Sequence, residues 1–283
     1  MLTTGIFQGG IYALMASGLA IIFGVMHIIN FAHGEFLLIG AYITYWLFVL
    51  FGLDPFLSIP LTFIVLFFFG QFVQRYFLDP VHKDHLFVLL ITYSWALIIV
   101  GLMYMAFKAE LRSVVTSYSL LSLDLMDDQL ILNLQDFGIL ILSAVFFLLL
   151  HLFLNRTWLG KCMEVCAQDE EAAQLMGINT RRVACLAFGI GAAMTAITGS
   201  MMVTSQVFHP GVGGVQTLKA FTIVILGGMG SLWGTALGGM LVGIIEAVGT
   251  FFIPPIYKPI IGFAILLFVL LIRPSGLFGR KIG

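Results

Sequence analysis

The stretch NRTWLGKCMEVCAQDEEAAQLMGINTRR, residues 155–182, stands out as polar in a sequence otherwise built of long apolar runs. It holds eight of the 27 charged residues (13 basic and 14 acidic), whereas long apolar runs lie on both sides of it. A segment of this composition belongs in water, and the flanking runs belong in lipid. The sequence therefore predicts a membrane protein with one central polar loop.

Within this loop, residues 169–177 (DEEAAQLMG) predict a short helix. Acidic residues in the first turn favour the positive end of the helix dipole, and Gly177 suits the left-handed conformation that ends a helix. Ala172, Leu175 and Met176 share one face of such a helix. A short helix with an exposed apolar face predicts docking into a groove on a cytoplasmic partner, the alternative being an ordinary solvated loop.

Composition places the whole chain in the membrane. Hydrophobic residues make up 60% and charged residues 10% of the chain, whereas soluble domains average roughly 25% charged residues. A net charge of -1 without a basic cluster argues against a nucleic-acid partner. The three cysteines lie in or beside the central loop, where a cytoplasmic location would keep thiols reduced, so we expect no disulfide and no zinc site.

Apolar runs suited to crossing a membrane, which takes about 20 residues, occur along most of the chain. They are residues 5–26, 36–51, 56–77, 86–107, 137–154, 183–205, 218–229, 233–253 and 259–272. We therefore predict an all-α membrane protein with about eight or nine transmembrane helices in a single domain, 1–283. Because the run 218–229 is short and ends in glycines, and polar residues interrupt the chain earlier, broken or re-entrant segments are expected near 27–35 and 226–232.

Lysine and arginine residues in short loops predict the orientation. They place the central loop in the cytoplasm, and Arg273, Arg280 and Lys281 place the last residues there too, since four candidate spans lie between. Counting backward puts the acidic segment 108–137 outside, residues 27–35 at the inner side and the N-terminus outside. A re-entrant turn at 30–35 would reverse the first span.

The polar segment 30–35 (NFAHGE) interrupts an otherwise apolar stretch. Polar groups persist at membrane depth only in a protein interior or a water-lined cavity, so we predict that Asn30, His33, Gly34 and Glu35 belong to a solute path. The alternative is that Asn30 and Glu35 cap the two flanking helices while His33 packs at their interface. His-Gly-Glu also matches the H-x-E of zinc deaminases, but no P-C-x-x-C follows, which excludes that enzyme class.

A glycine-dense segment near the end of the chain is the second candidate for a solute path. Gly227, Gly228, Gly230 and Ser231 predict an unwound backbone that presents amides and carbonyls to a zwitterionic solute. The glycines from Gly234 to Gly243 recur at helical spacing and predict close helix packing instead.

Two charged residues fall inside candidate spans. Such charges are costly in lipid, so each is expected to face protein or water, the alternative for Lys219 being that its side chain extends to the outer interface. Glu246 is either a proton-coupling acid or a buried, hydrogen-bonded one.

Nothing in the sequence predicts ATP hydrolysis or another catalytic activity in this chain. The Gly160-Lys161 pair fails the P-loop pattern, because Asn155 stands where glycine is needed and Cys162 where serine or threonine is needed. We therefore expect no catalytic residues, no cofactor and no metal site.

Several blocks of residues resemble the LivH-type permease subunits of high-affinity branched-chain amino acid ABC importers. They are RTWLG (156–160), EAA with GIN (171–173 and 177–179), IINFAHGE (28–35), LGGMGS (226–231) and RPSGLF (273–278). The resemblance covers nearly the whole chain. It implies a permease in the bacterial inner membrane that passes branched-chain or other hydrophobic amino acids inward, driven by ATP hydrolysis in partner subunits.

The same resemblance implies partners and roles for individual residues. The partners would be a second homologous permease, two ATP-binding cassette ATPase subunits and a periplasmic substrate-binding protein, all working in or at the lipid bilayer. The loop at about 155–182 would be the coupling loop. Its contacts with an ATPase would come from Asp169, Glu171, Ala172, Ala173, Leu175, Met176 and Gly177. Block 28–35 would lie close to the translocation route.

Three alternatives remain from the sequence. Urea and short-amide ABC permeases resemble the same blocks. An ATP-independent secondary transporter or channel would use His33, Glu35 and Glu246 as coupling groups, but it has no need for a docking helix. A purely structural membrane scaffold does not explain the polar and glycine-dense breaks.

Overall fold

The computed structural model describes residues 2–82, 84–125, 130–252, 254, 258–272 and 276–278. Within them the chain is almost entirely helical. The helices are α1 (Leu2–Met26), α2 (His33–Phe51), α3 (Pro55–Val73), α4 (His85–Phe107), α5 (Leu134–Arg156), α6 (Trp158–Gln168), α7 (Glu170–Leu175), α8 (Thr180–Ser205), α9 (Val212–Gly227), α10 (Leu232–Phe252) and α11 (Lys258–Ile272). A short antiparallel hairpin, β1 (Ser122–Leu125) and β2 (Leu130–Asn133), separates α4 from α5.

Short helical turns of other types supplement these elements. A π-helical turn, Gln74–Leu78, and a 3-10 turn, Asp79–Val81, extend α3, and a second 3-10 turn, Ser117–Leu120, precedes β1. Among the described residues, seven helices are long and apolar enough to cross a membrane: α1 to α5, α8 and α10. The shorter apolar helices α9 and α11 fall on the remaining two predicted runs. The predicted fold class is therefore confirmed, although α9 begins at Val212 and not near residue 218.

Helix α8 forms the centre of the bundle, because small residues let α1, α2 and α3 approach its backbone. A Cβ atom on Gly18 of α1 would lie 2.6 Å from the carbonyl oxygen of Gly191. On Gly40 of α2 it would lie 2.7 Å from the Cα atom of Ala196. Between helices in lipid, packing at short distance replaces the hydrophobic driving force that acts in water. The small residues of α8 thus hold three spans together.

Helix α10 packs antiparallel against α1 through its glycines. A Cβ atom on Gly239 would lie 2.5 Å from the backbone nitrogen of Ala13, and one on Gly243 would lie 2.5 Å from the Cα atom of Gly9. Gly238 faces α9, where its Cβ would lie 3.0 Å from the carbonyl oxygen of Ile223. The predicted packing role of this glycine series is confirmed.

The connection from α1 to α2 turns back into the bundle. It begins at His27, which has a positive φ of 55°. His33, the first residue of α2, lies with Nε2 3.0 Å from the carbonyl oxygen of Met15. Met15 precedes the end of α1 by eleven residues, or about 16 Å of helix. The segment 27–32 therefore folds back alongside α1, and α2 starts at the level of Met15, among the helices.

The turn between α9 and α10 is closed by residues that follow α11. Gly228 (φ 98°) and Gly230 (φ 83°) adopt conformations that L-residues rarely take. The N–H groups of Leu277 and Phe278 donate to the carbonyl oxygens of Leu226 (2.8 Å) and Gly227 (3.2 Å). The last carbonyls of α9 are thus satisfied by a distant part of the chain.

Backbone hydrogen bonds join two connections between helices on the side of the bundle predicted to face outward. Arg112 and Phe208 exchange backbone hydrogen bonds of 2.9 Å, which link the α4–α5 connection to the α8–α9 connection. The guanidinium of Arg112 lies 5.1 Å from the ring centroid of Tyr45 and 5.3 Å from that of Trp46, distances suited to cation–π attraction.

Some of the charged residues used to predict the orientation lie outside the described residues. They are Asp127, Asp128, Arg273, Arg280 and Lys281.

Candidate solute path and coupling helix

His33 joins three helices at the centre of the bundle. Its fully buried ring lies with Nε2 3.0 Å from the carbonyl oxygen of Met15 on α1 and 3.1 Å from Oγ1 of Thr195 on α8. The Thr195 hydroxyl also donates to the carbonyl oxygen of Gly191 at 2.8 Å. A movement of α8 relative to α1 would therefore change the surroundings of His33.

Gly34 extends this junction to α9. Its N–H group donates to Oγ1 of Thr217 at 2.8 Å, and the Thr217 hydroxyl lies within donating distance of the carbonyl oxygens of Phe31 and Gly213. A Cβ atom on Gly34 would collide with the Gly213 carbonyl oxygen, so only glycine allows this approach. The start of α2 thus contacts α1, α8 and α9.

Asn30 and Glu35 are buried beside this junction with atoms that lack a hydrogen-bond partner among the described residues. Asn30 Oδ1 accepts from the N–H of Ala32 at 3.0 Å, but Asn30 Nδ2 has no partner. Glu35, only 2% exposed, lies beside Gly213, and its Oε2 atom has no partner. An unpaired buried polar group costs roughly 1–3 kcal/mol. Such groups in a folded protein are typical of a site at which another polar molecule binds.

The predicted alternative, that Asn30 and Glu35 cap the flanking helices, is wrong. The N-cap residue of α2 is Ala32, which receives no side-chain hydrogen bond. Asn30 instead closes a local turn before the helix, and Glu35 lies in its first turn. The expected position of His33 at a helix interface is confirmed.

The second candidate segment lies away from the first. Gly213, which contacts Gly34, precedes Gly227 by fourteen residues of α9, or about 21 Å. The structure therefore does not bring Asn30, His33, Gly34 and Glu35 together with Gly227, Gly228, Gly230 and Ser231. Gly227 itself packs closely against Gly234, and its carbonyl accepts from Phe278. The role of this segment in a solute path stays a prediction.

A charged cluster of Tyr12, Lys219 and Glu246 was missed by the sequence analysis. Lys219 Nζ donates to Glu246 Oε2 at 3.0 Å and to Tyr12 Oη at 2.7 Å. Tyr12 Oη also lies 2.9 Å from the same Glu246 oxygen. The Lys219 side chain is only 11% exposed, so both charges face protein as expected, and the alternative of a side chain that extends to the interface is wrong. A signal for this pair was present in the sequence. Lys219 and Glu246 have opposite charges and lie on the consecutive apolar helices α9 and α10, and consecutive membrane helices usually pack antiparallel.

The short helix of the central loop forms as predicted. Asp169 is the N-cap residue, and its Oδ1 accepts from the N–H of Ala172 at 2.9 Å. Gly177 has a positive φ of 83°, and the N–H of Ile178 donates to the carbonyl oxygen of Ala173 across the end of the helix. This 6→1 hydrogen bond with a left-handed glycine is a Schellman end.

The apolar residues of α7 divide into an outer and an inner set. Leu175 is 90% exposed and Met176 is 76% exposed, as the docking interpretation requires. Ala173 is fully buried and holds α7 against the rest of the chain. Two large apolar side chains exposed side by side on a capped helix outside the spans are typical of a docking site.

The loop around α7 is tied to the spans at both ends. At the start of α6, Thr157 Oγ1 donates to the carbonyl oxygen of Phe153 in α5 at 2.7 Å and accepts from the N–H of Gly160 at 3.0 Å. Burial of α6 against the bundle raises the pKa of the Cys166 thiol, with further contributions from Cys162 and Glu170. After α7, Gln174 Nε2 donates to Thr180 Oγ1 at 3.1 Å, where α8 begins. This bond joins the end of α7 to the start of α8, the central helix.

This helical bundle, with a short capped helix outside the spans, is that of a permease subunit of an ABC importer in the inner membrane, as the following comparisons show. Residues 1–270 match the family model of the permease component of branched-chain amino acid transport systems. The chain belongs to that family.

Relatives agree with this assignment over nearly the whole length. The chain is 32% identical to the permease protein BraD of the high-affinity branched-chain amino acid transport system of Pseudomonas aeruginosa, covering 99% of this chain and 95% of BraD. It is also 32% identical to the corresponding permease protein LivH of Escherichia coli, covering 98% and 94%. PsaBC from Streptococcus pneumoniae, solved with a Fab, shares the fold with a TM-score of 0.53 at 12% identity, covering 96% of this chain and 91% of that chain.

Proposed function

We propose that this chain passes branched-chain amino acids inward as one of two permease subunits, with ATP hydrolysis supplied by two ATPase subunits. The observation that carries the proposal is α7, which exposes Leu175 and Met176 on a helix fixed at both ends. Family membership and the names of BraD and LivH support the solute. A periplasmic binding protein would deliver it.

The coupling route runs from α7 to the centre of the bundle. An ATPase that moves α7 would move the start of α8 through the bond from Gln174 to Thr180. Because α8 carries Thr195, the same movement would act on His33 and on the contact between α1 and α2. Discrete rearrangement of packed helices of this kind is a common basis of switching.

The solute path would run beside the start of α2. Asn30 Nδ2 and Glu35 Oε2 offer a donor and an acceptor that have no partner among the described residues. A zwitterion needs both kinds of group, and apolar neighbours suit its side chain. A second permease would complete the path, and Gly227, Gly228, Gly230 and Ser231 would contribute at its inner end.

Two features of the chain favour ATP-driven transport by partner subunits. The Gly160-Lys161 pair lacks the surrounding residues of a P-loop, so the chain itself would not hydrolyse ATP. Glu246 is neutralised by Lys219, which removes the isolated carboxylate that a proton-coupled transporter would use. The secondary-transporter alternative therefore loses one of its coupling groups.

Replacing Leu175 with aspartate tests the docking role of α7. A charge pressed against an apolar groove costs several kcal/mol, so co-purification of ATPase subunits should fall by more than about tenfold. Leu111→Asp is a matched control, because Leu111 is 71% exposed on the connection between α4 and α5. Normal ATPase retention in Leu175→Asp would overturn the coupling role.

Transport of labelled solute tests the rest of the proposal. Membrane vesicles that contain the complete importer should accumulate L-leucine in an ATP-dependent manner, and Leu175→Asp should abolish the accumulation. Accumulation of urea without L-leucine would instead assign the chain to the short-amide permeases.

A further inference from the structure

A cavity of about 390 Å³ lies between the coupling loop and the ends of the neighbouring spans. Its walls come from the end of α1, the π-helical turn after α3, the start of α4, helices α6 and α7, and the start of α8. Ligand pockets in proteins usually measure about 300–1,000 Å³. The cavity is therefore large enough for a small metabolite, and it is separate from the junction around His33.

The cavity is lined by both apolar and charged side chains. The apolar ones include Met26, Ile28, Leu78 and Val88. The charged ones are Asp79, Glu170 and Arg181, and His82 lines the cavity as well.

Arg181 and Asp79 already face each other in the cavity wall. Arg181 Nε lies 3.7 Å from Asp79 Oδ1, and the Arg181 side chain is 73% exposed, so this ion pair is loose. Exposed ion pairs contribute little and exchange readily with other partners. The guanidinium is therefore available to bind a carboxylate.

Gln74 is the second observation that points to a ligand. It lies in the π-helical turn, lines the cavity and is only 1% exposed. Its Oε1 atom accepts no hydrogen bond from the described residues. A buried amide oxygen without a donor is costly, and a π-helical turn is frequently found at a functional site. A rotation of the Gln74 side chain toward the cavity would bring this oxygen to a donor group of a ligand.

The charges define the class of ligand. Two carboxylates and one guanidinium leave the site acidic, which disfavours a phosphate or another pure anion. A zwitterion fits, since its ammonium group can face Asp79, Glu170 or Gln74 while its carboxylate faces Arg181. The apolar lining residues favour a zwitterion with an apolar side chain of moderate size.

We propose that this cavity binds a free amino acid with an apolar side chain from the cytoplasm, and that the bound amino acid slows transport. It would contact α7 through Glu170, the end of α3 through Gln74 and the start of α8 through Arg181. By joining these three segments it would hold the coupling loop in one position relative to the spans. The identity of the amino acid rests on the proposed function, because a transported solute that accumulates inside would then limit its own import.

Binding to the purified complex tests the site directly. The importer with both ATPases, without the binding protein, is placed in lipid nanodiscs and titrated with L-leucine by calorimetry while ATP hydrolysis is measured. L-leucine should bind and lower hydrolysis. Removal of either charged group, as in 3-methylbutylamine or 4-methylpentanoate, should weaken binding by at least about tenfold, since each leaves a charged partner unpaired.

Variants then locate the bound leucine. Ala184→Leu fills the cavity from α8, and Arg181→Gln removes the carboxylate partner without touching a buried residue. Both should weaken inhibition by at least about tenfold. Arg182→Gln is the matched control, because Arg182 is also exposed at the start of α8 but does not line the cavity. It should leave inhibition unchanged.

The outcomes separate this site from the proposed function. Leucine binding that persists in both Arg181→Gln and Ala184→Leu, or no binding to the unaltered complex, overturns the cavity as an amino acid site. Uptake of L-leucine from the outer face is measured separately in vesicles with the binding protein present. If the unaltered importer does not take up L-leucine but L-leucine still inhibits its ATP hydrolysis, the solute assignment is rejected and the cavity remains an amino acid site.

Discussion

Lys219 and Glu246 neutralise each other inside the bundle, with Tyr12 Oη in contact with both. Glu246 is fully buried, so Glu246→Gln would leave the Lys219 ammonium uncompensated at a cost of about 3–5 kcal/mol. We expect a marked fall in the thermal unfolding temperature of the purified complex. Combining Lys219→Met with Glu246→Gln removes both charges and should restore most of the stability. Equal unfolding temperatures for the Glu246→Gln variant and the unaltered complex would contradict this role of the pair.

Helix α10 contacts α1 through glycines, so we expect a large residue to be harmful at a glycine in this contact and tolerated at a glycine outside it. Gly243→Leu would place a side chain against the Cα atom of Gly9, because even a Cβ atom added at Gly243 would lie only 2.5 Å from that Cα atom. Overpacking costs typically about 1–3 kcal/mol, and more where backbone must move, so the folded yield in detergent should drop. Gly138→Leu in α5 is the matched control, since a Cβ there meets nothing within 4 Å. Similar yields for both variants would remove the packing role of Gly243.

Elements that depend on local patterns were predicted well. The nine apolar runs became nine helices, because lipid accepts only backbone that satisfies itself within a helix or a closed barrel. Helix α7 formed from its acidic start to Gly177, since the cap residue, the dipole and the left-handed glycine all lie within nine residues of sequence.

Features that depend on contacts between distant residues were not predicted. The depth of His33 follows from its bond to Met15, and no periodicity encodes that the chain turns back after α1. The pairing of Lys219 with Glu246 depends on how α9 and α10 align. The separation of the two polar segments depends on the length of α9, whose start lies before the apolar run that predicted it.

The orientation of the whole molecule is open to a labelling test. Cys166 is only 5% exposed and burial raises its pKa, so the native thiol reports poorly on sidedness. In a chain whose three cysteines are replaced by alanine, Leu111→Cys should react with a membrane-impermeant maleimide in intact cells. Arg182→Cys, also exposed, should react only after the cells are opened. The reverse pattern would invert the predicted topology.

The bonds from Leu277 and Phe278 to α9 link the order of synthesis to the completion of the fold. On the ribosome, α9 emerges before α10, α11 and residues 276–278 exist, so the carbonyl oxygens of Leu226 and Gly227 wait for their donors. Until then the turn between α9 and α10 lacks these hydrogen bonds. Because burying a carbonyl oxygen without a donor costs free energy, the two oxygens stay in contact with water. A message truncated just after α11 would therefore yield a chain that has all the described apolar helices but in which the carbonyl oxygens of Leu226 and Gly227 lack these two donors.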